Sequence, residues 1–416
     1  MLTNRPRGTN DIMPGDVEQW QFIEQTARDV FRRFHVTEVR TPIFEHTELF
    51  ARGVGETTDI VEKEMYTFED RGERSLTLRP EGTASAVRAF VEHKLHAQPQ
   101  PTKLFYIGPM FRYERPQAGR YRQFHQFGVE LIGVEHPSVD AEVIALAMTF
   151  YKELGLTRLS LEINSVGSPG SRENYRTALR EHLAPVKEHL CKDCQSRYDR
   201  NPMRILDCKN ETCKQHTQGA PMMLDHLVEE DAAHFKAVCE YLDSFGIEYI
   251  VNPRMVRGLD YYTQTAFEII ESGSTICGGG RYNGLVQQIG GPDMPGIGFA
   301  GGLERCLLAL ETQGVELPIP TGIDAFLVAL GDAAQKRTVT LLQELRVNGL
   351  VADKDYLGKS MKAQMKAADR NQARFVVILG DDELAQGVAN VKNMATGEQY
   401  SVALDALVAH LTELTK

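Results

Sequence analysis

Long apolar runs are missing from this 416-residue chain. The longest, such as Phe326–Leu330 and Phe375–Leu379, are strand-sized, far short of the roughly 18 residues that a membrane-spanning helix needs. The opening stretch, Met1–Asp16, is polar and charged and carries no apolar signal region, so the expected location is the cytoplasm. Cysteine is sparse: the seven residues are odd in number and scattered, which suits a reducing compartment better than a disulfide framework. Positive charge is also in deficit. A net charge of −11 excludes a general nucleic-acid coat protein, so any RNA contact requires a local basic patch. There is no internal repeat or low-complexity tract. The glycine-rich segments match neither a dinucleotide-binding nor a P-loop fingerprint.

What is present is concentrated between Met110 and Glu130. Two β-patterned runs, Leu104–Glu114 and Arg122–Val134, flank a loop holding Pro116 and Gly119, the pattern of a hairpin. Arg112, Arg115, Arg120 and Arg122 sit among Glu114 and Glu130, interleaved with Phe111, Tyr113, Phe124 and Phe127. Guanidinium forks suit phosphate and carboxylate, and flat rings suit a nucleobase. The hairpin therefore looks built to hold a nucleotide, against the plainer reading of a salt-bridged surface hairpin.

The rest of the chain falls into three regions. The first, to about Val166, opens with a helix over Asp16–Phe34 whose Trp20, Ile23, Ala27, Val30 and Phe34 share one face. It continues through strand-like Met65–Phe68 and Ser75–Leu78 and helices near Thr83–Leu95 and Asp140–Leu154. A charged helical stretch, about 169–245, interrupts the pattern before strand signals return at Glu248–Val251, Thr265–Ile270 and Ile297–Ala300. This reads as an insertion into one sheet-based domain spanning 1–320. Beyond the linker Gln313–Gly322, a smaller domain over 322–416 alternates strand Ala325–Ala329, helix Ala333–Val347, a helix from Ser360, strand Phe375–Leu379 and helix Leu404–Leu414. That order predicts an α/β unit with parallel pairing.

Four further segments carry chemistry. Thr77–Thr83 ends a strand and opens a helix, with Glu81 and Thr83 placed either to take an ammonium group or simply to cap the helix. Arg257–Tyr262 combines anion, cation and aromatic recognition in six residues. Cys277–Gly284 reads as a glycine-rich turn that lets backbone approach a ligand, with Arg281 and Tyr282 adjacent. Gly296–Arg305 runs from a glycine-bearing strand into a helix whose Arg305 can reach a phosphate.

Together these segments resemble the class II aminoacyl-tRNA synthetases, and within them the bacterial-type histidyl-tRNA synthetases. Val39-Arg-Thr-Pro42 is similar to motif 1, Phe111 through Glu130 to motif 2, and Gly296 to Arg305 to motif 3. Arg257–Tyr262 and Cys277–Gly284 resemble the two signatures of the histidine enzymes. The resemblance covers the whole chain. It implies an α+β fold: an antiparallel catalytic sheet flanked by helices, a helical insertion, and a C-terminal α/β anticodon-binding domain. It also implies a homodimer, with the motif 1 proline at the interface.

The activity implied is ligation of L-histidine to tRNA(His) through a histidyl-adenylate, with ATP as substrate accompanied by Mg2+. Arg112 and Arg257 would be the catalytic pair on the α-phosphate and reacting carboxylate, Arg257 taking a part that other class II enzymes give to a metal ion. Glu114, Phe124 and Arg305 would complete the ATP site. Glu81, Gly82, Thr83 and Gln126 would hold the amino-acid end of histidine, and Glu130, Tyr261 and Tyr262 the imidazole end. The implied anticodon contact falls on Lys359, Lys362, Lys366 and Arg370, spaced along one helix whose apolar face is Met361, Met365 and Ala368. On spacing alone the same row is also a solvated basic face.

Cys191-x2-Cys194 and Cys208-x4-Cys213, with His216 nearby, have spacings compatible with tetrahedral zinc. The second pair is spaced unusually and the resemblance requires no metal there, so no metal site is assigned. The rival reading is a non-catalytic, synthetase-like histidine-binding regulatory subunit. It is disfavoured because Arg112, Arg257, Arg305 and the C-terminal region are all present.

Overall fold

Side-chain alternation along the Met110–Glu130 region sets the architecture. In the computed structural model, which describes residues 3–55, 58, 60–206 and 208–415, strands Thr102–Phe111 and Gln123–Ile132 pair antiparallel, with Phe111 opposite Gln123 and Thr102 opposite Ile132. Phe105, Phe127, Val129 and Leu131 enter the main core. The alternate positions, among them Tyr106, Phe124, Gln126 and Glu130, point to the opposite face, as a period of two requires. The strands are slightly shorter than the sequence suggests, because residues 112–122 leave the ladder and form the loop.

This hairpin lies within an eight-stranded sheet. In spatial order the strands are Thr37–Glu38, Thr102–Phe111, Gln123–Ile132, Gly296–Gly302, Ser274–Arg281, Thr263–Glu271, Ser160–Ser165 and Ile250–Val251. The two outermost pairings are parallel and the rest antiparallel. Helices Val17–Arg33 and Pro137–Glu153 cover the core face with Ile23, Val30, Phe31, Ile144 and Phe150. Phe127 and Phe150 pack with ring centroids 4.6 Å apart. The sheet's other face is left for the site. A small antiparallel sheet of Phe44–His46, Ser75–Leu78 and Tyr66–Glu69 stands separately.

One expectation is overturned here. Cys277–Gly284 is not a turn throughout: Cys277–Arg281 belongs to the inner strand Ser274–Arg281 of the large sheet, and only Asn283 and Gly284 turn, Gly284 with a φ of 97°. Its Arg281 is also not directed at a ligand. It is fully buried against Asp140 at 2.6 Å, and it donates to the Val134 carbonyl at 3.1 Å. A buried charge is tolerated only when paired in this way.

The insertion is helical, with Pro169–Leu183, Lys192–Arg200 and Glu211–His216 around a small core of their own that includes Tyr175, Leu179, Leu183, Met203 and Ile205. Helix Glu229–Ser244 instead sends Val238 and Leu242 into the main core.

Residue contacts divide the chain into units Met1–Leu317 and Pro318–Lys416. In the second, the strand order is Ala352–Lys354, Ala325–Ala329, Phe375–Leu379, Val388–Asn393 and Gln399–Ala403. Its first three strands are parallel, as expected, but the last two form an antiparallel hairpin, so the sheet is mixed.

Candidate active site

A cavity of about 380 Å3 opens on the exposed face of the large sheet. It brings together, from segments far apart in sequence, Glu81, Thr83, Arg112, Glu114, Phe124, Gln126, Arg257, Tyr261, Tyr262 and Arg305. Gly82 and Glu130, also expected at the site, are not among its lining residues.

Arg112 leaves the hairpin where its ladder ends. Its Nε donates to the Pro80 carbonyl at 2.8 Å, and its guanidinium carbon lies 5.3 Å from the Phe124 ring centre. Glu114 sits between two arginines, 3.8 Å from Arg112 and 3.4 Å from Arg120. Arg257 pairs with Glu268, and the other Glu268 oxygen accepts from the Thr275 hydroxyl at 2.8 Å. Burial works against the Arg257 charge, but the neighbouring Tyr262 and Glu268 outweigh it and raise its pKa. The close approach of this side chain explains a glycine: a Cβ on Gly278 would stand 2.2 Å from an Arg257 nitrogen. Arg305 donates to the Thr275 carbonyl, and burial together with the positive charge of Arg120 lowers its pKa. Excess positive charge on one wall is what a polyphosphate would relieve.

The other end of the cavity is acidic and aromatic. The Glu81 carboxylate accepts the Thr83 and Ala84 N–H groups, each at 2.8 Å, at the start of helix Thr83–Glu92. Helix capping is therefore present, and the same carboxylate also lines the cavity. Burial raises the Glu81 pKa despite these bonds. Gly82 makes room for Tyr106, whose ring a Cβ there would meet at 2.1 Å. The Gln126 Oε1 is buried with no hydrogen-bond partner among the described residues. An orphaned acceptor of this kind calls for a donor from a ligand.

Glu130 is fully buried. The Tyr282 hydroxyl donates to one of its oxygens at 2.6 Å and Tyr106 to the other at 3.2 Å. Burial pushes its pKa up to about 8, with the nearby Glu81 charge adding to the rise. Tyr261 and Tyr262 pack against each other with ring centres 4.7 Å apart.

Sequence reading missed Tyr106, Glu268, Thr275, Arg204 and Glu304. Tyr106 was accessible in principle, since it alternates with the core-facing Phe105 on strand Thr102–Phe111. Glu304 lines the cavity while its carboxylate accepts the His125 N–H at 2.9 Å. A larger cleft of about 710 Å3, lined by Asn10, Asp11, Trp20, His125 and Leu307 among others, has no lysine or arginine among its described lining residues.

In the second unit, Lys359, Lys362, Lys366 and Arg370 are exposed on and beside helix Met361–Arg370. The buried face is Gln364 and Ala368, with Met365 partly covered. Met361, expected on it, is 44% exposed instead.

The family described as Histidyl-tRNA synthetase matches residues 8–306, and the one described as Anticodon binding domain matches residues 324–414. The chain belongs to the histidyl-tRNA synthetase family. Its relatives include the histidine–tRNA ligase of Desulforamulus reducens, 60% identical over all of both chains. That of Geobacillus thermodenitrificans is 58% identical over 99% of this chain and 98% of its own. Among solved structures, apo histidyl-tRNA synthetase from S. aureus superposes with a TM-score of 0.86 at 49% identity, covering 98% of this chain and 99% of that one. The large sheet is thus the antiparallel-rich sheet of a class II synthetase fold, and the cavity lies where the hairpin Thr102–Ile132 and the Arg257–Tyr262 segment converge.

Proposed function

We propose that this chain activates L-histidine with ATP and transfers the histidyl group to the 3′ end of tRNA(His). The observation that carries the reading is one cavity in which Arg112, Arg257 and Arg305 face Glu81, Gln126, Tyr261 and Tyr262. Cationic groups for a triphosphate and matched polar groups for a zwitterion are joined in a single space.

In the first step a histidine carboxylate oxygen attacks the α-phosphorus, the bond to the bridging oxygen breaks, and pyrophosphate leaves. Alignment and positive charge dominate such a transfer. Arg112 and Arg257 grip the α-phosphate and the carboxylate, each held by its own anchor, the Pro80 carbonyl or Glu268. Phe124 stacks on adenine, with Glu114 at the base edge and Arg305 near the phosphates. Glu81, Thr83 and Gln126 receive the ammonium group, and Tyr261 and Tyr262 flank the imidazole, with Glu130 behind them. In the second step a terminal ribose hydroxyl attacks the histidyl carbonyl, releasing AMP. Magnesium, when bound, would supply charge beside the phosphates, and the Glu304 carboxylate on the cavity wall is a hard oxygen donor of the type it accepts together with substrate phosphates.

The exposed Lys359, Lys362, Lys366 and Arg370 suit the tRNA backbone at its anticodon end. Exposed Ile43, Phe44 and Phe68 by the motif 1 segment favour a homodimer. The seven cysteines form no disulfide, which suits a cytoplasmic setting. Aminoacylation assays with a tRNA(His) transcript test the reading. Histidine alone should be esterified to it, and charging with a different amino acid would overturn the proposal.

A further inference from the structure

We propose that Cys191, Cys194, Cys208 and Cys213 bind one structural zinc ion that clamps the Pro202–Ile205 turn of the insertion beside the catalytic cavity. The four Sγ atoms all lie within 4.8 Å of one another, and Cys191 and Cys208 are 3.9 Å apart. Sulfurs placed about 2.3 Å from a central zinc form a tetrahedron with edges of about 3.8 Å, so the cluster needs only a small contraction to close on the ion. A disulfide would require sulfurs at about 2 Å. Four thiolates around a single centre is the donor set that soft, tetrahedral metals take, and zinc needs no redox partner there.

The surroundings are consistent with charged sulfurs. The Cys191 N–H donates to Cys213 Sγ at 3.2 Å, which supports negative charge on that sulfur. Cys194 and Cys213 are fully buried, and Cys191 and Cys208 are partly covered, so the centre is shielded from water. His216, the other ligand candidate in the sequence, is not part of the cluster. The unusual x4 spacing is accommodated because Cys213 sits within helix Glu211–His216 while Cys208 precedes it. A subdomain with so small an apolar core is of the kind that metals staple.

The clamp has a consequence for the site. Between Cys194 and Cys208 the chain passes through Arg200, Asn201 and Arg204. Arg200 pairs with Glu62 at 3.0 Å, Asn201 donates to Asp260 at 3.3 Å, and Arg204 lines the catalytic cavity. Fixing both ends of this stretch at one ion holds Arg204 at the cavity wall.

The test is metal analysis of the full-length protein purified without chelator, which does not depend on any variant folding. The expected result is one zinc per chain, removable by a strong chelator. Cobalt substitution should then give the absorption bands of a tetrahedral thiolate site. Cys208→Ser with Cys213→Ser should abolish zinc retention. Stripping the wild type should speed proteolysis within residues 184–228 and raise the KM for ATP or histidine, leaving the C-terminal unit as resistant as before. Absence of zinc from freshly purified and from zinc-reconstituted protein, stoichiometric iron in its place, or a disulfide among these cysteines would overturn the site. Zinc whose removal changed neither proteolysis nor KM would overturn the clamp. The metal measurement stands whether or not the synthetase reading holds.

Discussion

Replacing Glu130 with glutamine probes the most unusual electrostatic feature of the site. Its carboxyl is buried between Tyr106 and Tyr282 and its pKa is lifted from 4.5 to about 8, chiefly by burial. A raised folded-state pKa means that the native protein binds more protons than the unfolded chain between those values. Stability is therefore full below the unfolded pKa and falls as pH rises through the folded one. At about 1.4 kcal/mol per unit, the loss between about pH 5 and pH 9 is on the order of 4 kcal/mol. Glu130→Gln removes this titration. The difference in stability between wild type and variant, measured by urea unfolding of the catalytic unit across that range, should move in the variant's favour by a comparable amount as pH rises. The rise of the Glu81 pKa contributes to both proteins, so the comparison isolates Glu130 apart from the relief that Glu81 feels. Parallel curves for the two proteins would refute the reasoning. Histidine binding should weaken most in the variant above about pH 8, where Glu130 of the wild type is ionised.

Gly278→Ala places a methyl group 2.2 Å from an Arg257 nitrogen and must displace that guanidinium. Steady-state pyrophosphate exchange should fall by about 100-fold, the scale for losing one oriented donor, and the melting temperature should fall as the Arg257–Glu268 pair is disturbed. Reversing charge at Lys362, Lys366 and Arg370 should raise the KM for tRNA and flatten its salt dependence by roughly 0.7–0.9 in log–log slope per lost contact. Histidine activation without tRNA should be unchanged. Both are read by standard kinetics across a salt series.

Much of this molecule was legible because local and global signals agreed. Ala325–Ala329 and Phe375–Leu379 are apolar runs, Ser75–Leu78 alternates leucine with polar residues ahead of Pro80, and the strands form at those residues. The motif 2 hairpin combined alternation with Pro116 and Gly119, so its partner strands were readable. Cys277–Gly284 was misread because consecutive glycines signal a turn locally. In the sheet they are strand residues whose missing side chains admit Arg257 and other neighbours, a tertiary demand that no window of sequence contains. The hairpin Val388–Asn393 with Gln399–Ala403 went unseen for a related reason, since its half-exposed strands carry a weak apolar pattern. The cysteine cluster depends on the intervening helical turns bringing two sequence pairs together, which spacing could suggest but not decide. Glu268 and Thr275 were invisible because their importance lies in holding Arg257 and Arg305, not in any motif of their own.

The most direct test is exchange of labelled pyrophosphate into ATP with each of the twenty amino acids, for the wild type and Arg257→Ala. Exchange with histidine alone, reduced by about 100- to 1,000-fold in the variant, is the predicted result. Wild-type protein that binds histidine but supports no exchange with any amino acid would contradict the account.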